Sequence, residues 1–594
     1  MQLSLLKHKV NRSAILRCPI GTPGGPYRAV QRHNYSLSSG QHLWSEVGML
    51  RRLWKPVVGA AVLVGVPSYL YFKYTSKVQP RMTFDLPVRM RGPDGKPTVV
   101  KRPIGLLTKE EAEERLKAYA TSASTVRPNG IVWKQTTAFM PSNNPIEDAN
   151  ASQIIQRDVL DKSSPGDLLF FAVMDGHAGP YTSRLLSKVL IPSVALELAL
   201  FLQQPSGTEP KASTLQKLKS LIWPVESSSS HAPSPLEESR KYTPLALERA
   251  FTNLDSEIVD SPLRILAQEM SRDGADKKTI PNLSQHPMAM ASMLPAMSGS
   301  CAILALFDTA HRDLYIASTG DCRAVAGVWE ENENGTGTWR TDVLTEDQTG
   351  RNPNELKRMQ SEHPADEADT VIMRGRVLGG LEPTRAFGDA RYKWSRDAQA
   401  VLNKAFLEGN GESMRATPAL LKTPPYVTAR PAITHRKLNL PSADSEPNAK
   451  SKSGLRFVVL ATDGLWDELS SEEVVALVGG HLAGLKGAVP KSELSKLVPT
   501  ASGATVEGKE KRLKDGSGSW VFFDDNVSTH LIRNALGRGD PERLRQLLSI
   551  PAPLSRNYRD DITCTVVYWE AGGEDAKSST FSISKPEAQA KAKL

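Results

Sequence analysis

Leu168-Leu-Phe-Phe-Ala-Val-Met-Asp175-Gly176-His177 decides how the rest of this 594-residue chain reads. Its apolar run is short and unbroken, the pattern of a strand buried on both faces. An acid follows directly, then glycine and histidine. A carboxylate at the mouth of a buried strand costs desolvation free energy unless a partner offsets it. One Asp-Gly alone reads as a β-turn.

The pattern recurs along the chain. Arg456–Ala461 is a second buried-strand run, followed by Thr462-Asp463-Gly464-Leu465-Trp466-Asp467. Cys301–Phe307 and Leu314–Ser318, separated by His311-Arg312-Asp313, form a hairpin pattern, with Asp321 just past its end. Asp560 and Asp561 immediately precede a last strand, Ile562–Tyr568, and Glu147-Asp148 follow Pro145. Converging carboxylates repel one another unless cations bridge them. Hard oxygen donors without a Cys/His cluster select Mg²⁺ or Mn²⁺ over Zn²⁺. Glycine after Asp175 and Asp463 permits a sharp turn and a close carbonyl approach.

Helices and loops fill the intervals. Thr108-Lys-Glu-Glu111 is a capping-box pattern opening a helix to about Tyr119, and Tyr181–Leu202 and Ser471–Val478 also read as helices. Ser/Pro-rich 203–240, Met/Ala/Pro-rich 272–297 (with Met288, Met290, Met293 and Met297), 441–454 and 485–519 read as surface insertions. The organised segments belong to one enlarged domain over 127–570, with a tail at 571–594.

The 40% hydrophobic content is ample for a core and argues against wholesale disorder. Four cysteines, none in a C-x-x-C pair, exclude a disulfide framework and a zinc ribbon. The net charge is +9, but residues 1–102 hold 17 Lys and Arg against three acids, a net of +14. The other 492 residues hold 57 against 62, a net of −5, which speaks against a nucleic-acid partner for the body. Residues 1–55, cationic and nearly free of acids, have the composition of a mitochondrial transit peptide. Pro56–Phe72 carries no charge and is flanked by Trp54, Tyr74, Lys55 and Lys73, as a single anchor in the mitochondrial inner membrane would be. Residues 73–126 read as a basic linker with the short capped helix. The terminus Ala592-Lys593-Leu594 is similar to a peroxisomal address.

Phe170-Phe-Ala-Val-Met-Asp175-Gly-His-Ala-Gly179 resembles a segment of the metal-dependent serine/threonine protein phosphatases of type 2C. So, in family order, do Ser298-Gly-Ser-Cys301, Ser318-Thr-Gly-Asp321-Cys-Arg323, Thr384-Arg-Ala-Phe-Gly-Asp389, Ala461-Thr-Asp463-Gly-Leu-Trp-Asp467 and Arg559-Asp-Asp-Ile-Thr563. Asn143-Asn-Pro-Ile-Glu147-Asp148, Lys393-Trp394, Pro424-Pro-Tyr-Val-Thr-Ala429 and Tyr558-Arg-Asp-Asp-Ile-Thr563 are similar to the mitochondrial pyruvate dehydrogenase phosphatase branch. Cys301 stands where the family more usually has Thr.

The resemblance implies an α+β fold: a β-sandwich of two antiparallel sheets flanked by antiparallel helix pairs, with a dinuclear metal cleft at one end. It implies two Mg²⁺ or Mn²⁺ ions bridged by Asp175. Asp463 and Asp560 complete one site; Glu147 and the Gly176 carbonyl complete the other. Asp148 holds metal-bound water, and Asp321 with Asp467 takes a weaker third ion. The ions acidify a water that attacks the phosphate. His177 acts as general acid, and Asn143, where most of the family has an arginine, contacts phosphate. The implied activity is hydrolysis of phosphoserine or phosphothreonine, with the pyruvate dehydrogenase complex (its E1α subunit) as substrate. A broader type 2C phosphatase and a pseudophosphatase scaffold are the alternatives.

Overall fold

The computed structural model describes residues 81–91, 96–127, 130–156, 166–202, 235–272, 279–332, 336–440, 453–502, 517–571 and 582–584. The expected transit peptide at 1–55, the expected anchor at 56–72 and the Ala592-Lys593-Leu594 terminus lie outside the described residues. Among the described residues no helix is long and apolar enough to cross a membrane.

Two sheets carry the fold. The first runs, in spatial order, Thr500–Ser502, Gly337–Val343, Arg323–Glu331, Ser453–Ala461, Ile562–Ala571, Ile131–Met140, Thr121–Val126 and Ser582–Ser584. The second runs Ala432–Lys437, Asp313–Thr319, Gly299–Asp308, Asp167–His177 and Ala149–Gln156, with Phe387–Gly388 paired to the start of Gly299–Asp308. Pairing is antiparallel except where Thr500–Ser502 joins Gly337–Val343 in parallel.

Side-chain alternation explains the unbroken apolar runs. Along Asp167–His177, Leu169, Phe171 and Val173 enter a core shared between the sheets with Phe307, Trp133 and Val567. Phe170, Ala172 and Met174 face the other way, onto Leu186, Leu190 and Phe251 of helices Tyr181–Leu202 and Pro235–Met270. The first sheet's outer face, through Val459, Ala461 and Val566, packs on Val474, Val478, Leu531 and Ile532 of helices Ser471–Leu482 and Val527–Gly537. With both faces covered, every position in these strands gains from being apolar, and each fully buried Leu or Phe contributes about 1.5–3 kcal/mol.

The capping box forms: Glu111 N–H donates to Thr108 Oγ1 at 3.1 Å and Thr108 N–H to Glu111 Oε2 at 2.9 Å, opening helix Lys109–Lys117. Three segments read as linker or loop carry structure instead. Thr83–Arg91 and Pro97–Gly105 pair as a hairpin, because Leu86 and Ile104 dock on the distant Ile550. Within 272–297, Ala289–Met297 is a helix that buries Met293 and Ala296 against Leu402 and Phe406. Within 485–519, Gly487–Pro490 pairs with Ser519–Phe522, and helix Lys491–Leu497 follows the first of these strands. Residues 203–234, 441–452 and 503–516 of the expected insertions lie outside the described residues.

Candidate active site

Asp175 continues the parity of Leu169, Phe171 and Val173, so it faces the space between the sheets at their open end. Its register partner is Cys301. The Cys301 thiol donates to Asp321 Oδ1 at 3.1 Å, which brings the Asp313–Thr319 strand end alongside. Gly176 packs directly on the loop carrying Glu147. A Cβ at Gly176 would lie 2.1 Å from the Glu147 carbonyl oxygen, a clash only glycine avoids. The Glu147 side chain is held at Oε1 by the Gly179 N–H at 2.7 Å.

The first sheet supplies the opposite wall. Asp463 opens the short helix Asp463–Trp466, directly after Thr462, the residue past the Ser453–Ala461 strand. Thr462 Oγ1 donates to Asp148 Oδ2 at 3.0 Å and accepts from Thr563 N–H at 2.9 Å. Asp560 is ion-paired with Arg556 and accepts from Asp561 N–H at 2.7 Å. Asp561 points the other way, into the 142–147 loop. Its Oδ1 accepts from Ser142 N–H at 2.5 Å and Asn143 N–H at 2.9 Å; its Oδ2 accepts from Asn143 Nδ2 at 3.0 Å and Glu147 N–H at 2.9 Å.

The acids act on one another across this cleft. Burial pushes Asp175 well above the usual carboxylate range, and Asp463, Asp148, Asp321 and Asp560 push it further. Burial likewise raises Asp148, with Asp561 and Asp560 adding to it. Asp560 is pushed up to about 7 by burial and Asp463, against the pull of Arg556. Glu147 is raised by burial, with the Gly179 hydrogen bond opposing. Among the described residues, no three Asp, Glu, His or Cys side chains are packed closely enough to hold an ion as they stand.

Beside the acids, His177 Nε2 lies 2.6 Å from Asp389 Oδ2. Asp389 is buried and sits in the left-handed region at φ 47°, with its N–H donating to Ser298 O at 2.9 Å. The loop is braced from beneath: Asp255 accepts from Gly388 N–H at 2.9 Å and from Lys393 Nζ at 2.7 Å. Gly299, the register partner of His177, makes room, since a Cβ there would lie 2.1 Å from His177 Nε2. Burial alone would lower the imidazole pKa; the Asp389 carboxylate, aided by Asp321 and Glu147, more than offsets it, so His177 is held above its ordinary value.

Most residues singled out in the sequence therefore meet here: Glu147, Asp148, Asp175, Gly176, His177, Asp321, Asp463 and Asp560. Asp467 sits one turn past Asp463, its N–H bonded to the Asp463 carbonyl at 2.8 Å. Asn143, expected at the phosphate, gives its side-chain amide to Asp561 and, at 3.4 Å, to Glu147. Two residues escaped assignment. Asp389 was visible in Thr384-Arg-Ala-Phe-Gly-Asp389, and Asp561 stood beside Asp560; in neither case does the local pattern reveal the partner.

A family model described as protein phosphatase 2C matches residues 237–486. The chain is 34% identical over 509 residues to pyruvate dehydrogenase (acetyl-transferring) phosphatase 1, mitochondrial, of Saccharomyces cerevisiae, covering 82% of this chain and 78% of that one. It is 33% identical over 464 residues to a protein phosphatase 2C homolog of Schizosaccharomyces pombe, covering 77% and 84%. It is 33% identical over 498 residues to pyruvate dehydrogenase (acetyl-transferring) phosphatase 2, mitochondrial, of Homo sapiens, covering 78% and 84%.

Proposed function

Because the chain belongs to the protein phosphatase 2C family, on its pyruvate dehydrogenase phosphatase branch, and is a protein serine/threonine phosphatase, we propose that it dephosphorylates the mitochondrial pyruvate dehydrogenase complex at E1α. The relatives' names supply the substrate and the compartment, and the basic N-terminal stretch agrees with the compartment. One observation carries the chemistry: five carboxylates from different strand ends face one cleft, next to a histidine already paired with an acid.

The family is metal-dependent, typically with Mg²⁺ or Mn²⁺. The residues suit such ions, because the donors are oxygens and their mutual repulsion is what a hard cation relieves. Two ions would be held by Glu147, Asp175, the Gly176 carbonyl, Asp463 and Asp560, with Asp148 braced behind them. Asp321 and Asp467 are the candidates for a third. Bound ions supply charge neutralisation for the phosphate and acidification of water.

The chain's own residues do the rest. The imidazolium of His177 spends its Nε2–H on Asp389, leaving Nδ1–H as the proton to give. That proton goes to the serine or threonine oxygen as its bond to phosphorus breaks. Asn143 acts in this reading by holding the Glu147 and Asp561 carboxylates, so phosphate binding draws little from it.

The test compares Asp175→Ala and Asp463→Ala with the unaltered protein. Both variants should lose the calorimetric heat of Mn²⁺ binding and the turnover of phosphorylated E1α. Full turnover in either would sink the metal assignment. Equal kcat/KM for phosphorylated E1α and unrelated phosphoserine peptides would favour the broad-specificity alternative.

A further inference from the structure

Next to His177, which helps to line it, lies a cavity of about 220 Å³. Three stretches far apart in sequence build it: the turn after His177, the end of helix Ala289–Met297, and residues 380–415. Its walls include Leu294, Met297, Leu381 and Met414, all half-buried. Arg391 and Arg415 also line it. Arg391 is fixed by donating from Nε to the Ala416 carbonyl at 2.8 Å, and Arg415 is exposed. The acid in the lining is Asp389, already committed to His177.

The volume falls below the roughly 300 Å³ at which small-molecule pockets begin, so the space suits one side chain and not a free metabolite. Apolar walls favour an apolar side chain, and methionines adapt to its shape. The two guanidinium groups favour an acidic neighbour, because no free carboxylate in the lining balances them. Contact with His177 puts any occupant next to the reacting phosphate.

The geometry points to a substrate subsite: this cavity takes a large apolar side chain beside the phosphoserine, and Arg391 and Arg415 take a flanking acidic residue. The inference rests on the reading of His177 as the group at the phosphate. It gives the Ala289–Met297 helix a role in selecting substrate.

Phosphoserine peptides varied at the positions flanking the phosphate test it. With the unaltered protein, Leu→Asp at the favoured position should lower kcat/KM about tenfold, the range one hydrophobic contact commands. Glu→Lys at the acidic position should also lower it. Arg415→Glu, an exposed change that leaves the fold alone, should invert the Glu/Lys preference ratio within the variant. Met297→Trp, which fills the cavity, should erase the preference for a large apolar residue. Equal turnover of every peptide, or an unchanged Glu/Lys ratio in Arg415→Glu, overturns the subsite alone. Turnover of none of them overturns both the subsite and the assignment of His177 to peptide phosphate.

Discussion

His177 Nε2 and Asp389 Oδ2 are 2.6 Å apart, although 212 residues separate them in the chain. The contact engages Nε2 and holds the imidazole pKa above its ordinary value. Asp389 is thus a positioning residue. Asp389→Asn should lower kcat on a phosphoserine peptide by about ten- to a hundredfold, a part of what a general acid supplies. On nitrophenyl phosphate, whose leaving group needs no proton, the loss should be much smaller. Equal losses on both substrates would argue against the role.

Gly299→Ala tests the same contact from beneath. The new methyl would lie 2.1 Å from His177 Nε2 and 2.2 Å from Asp389 Oδ2, so the pair must separate. The expected result is the leaving-group signature of Asp389→Asn in a protein that still folds. A variant with undiminished peptide turnover would show that the pair is dispensable.

Asp561 is buried and accepts four hydrogen bonds from the 142–147 loop. Asp561→Ala leaves three buried or half-buried backbone N–H groups without that acceptor, at about 1–3 kcal/mol each. A lowered melting temperature and weaker Mn²⁺ binding are expected together, because the same loop carries Glu147. Unchanged melting would contradict the bracing.

A pH effect lies far from the chemistry. His530 is fully buried against the Phe522 ring, and burial, with His481 and Arg533 nearby, lowers its pKa to about 3. Between that value and the ordinary value of about 6.5, the unfolded chain binds a proton that the folded chain does not. Stability from this group is therefore complete above the ordinary value and falls as pH drops through that window. Denaturant titrations from pH 7 to 4 should show a slope approaching one proton from this site. His530→Gln should flatten that slope by the same amount, and an unaltered slope would refute the assignment.

Much of the sandwich was legible because burial on both faces leaves a plain mark. The runs around Leu169, Cys301 and Val459 could hardly be anything but covered strands. The acids at their ends marked the cleft for the same reason, as charge is costly there. What the sequence hid were the pairings. Asp560 and Asp561 are adjacent and chemically identical, yet one turns to the acids and the other to backbone N–H groups. Only the pleat at the start of the Ile562–Ala571 strand decides between them. The hairpin at 83–105 looked like linker because the residue that covers Leu86 is Ile550. The Met-rich end of 272–297 read as a surface insertion because its helix is stabilised by Leu402 and Phe406 across a long sequence gap.

The Ile562–Ala571 strand sits between Ser453–Ala461 and Ile131–Met140, and the Asp561 clamp reaches back 419 residues to Ser142. An early strand therefore waits, during synthesis, for one that comes far later in the chain. Until then the Glu147 loop lacks the Asp561 clamp and the cleft lacks Asp560. A chain cut before residue 560 lacks the Asp561 clamp and Asp560 together, so the order in which the ribosome delivers the strands leaves the cleft incomplete until this one emerges.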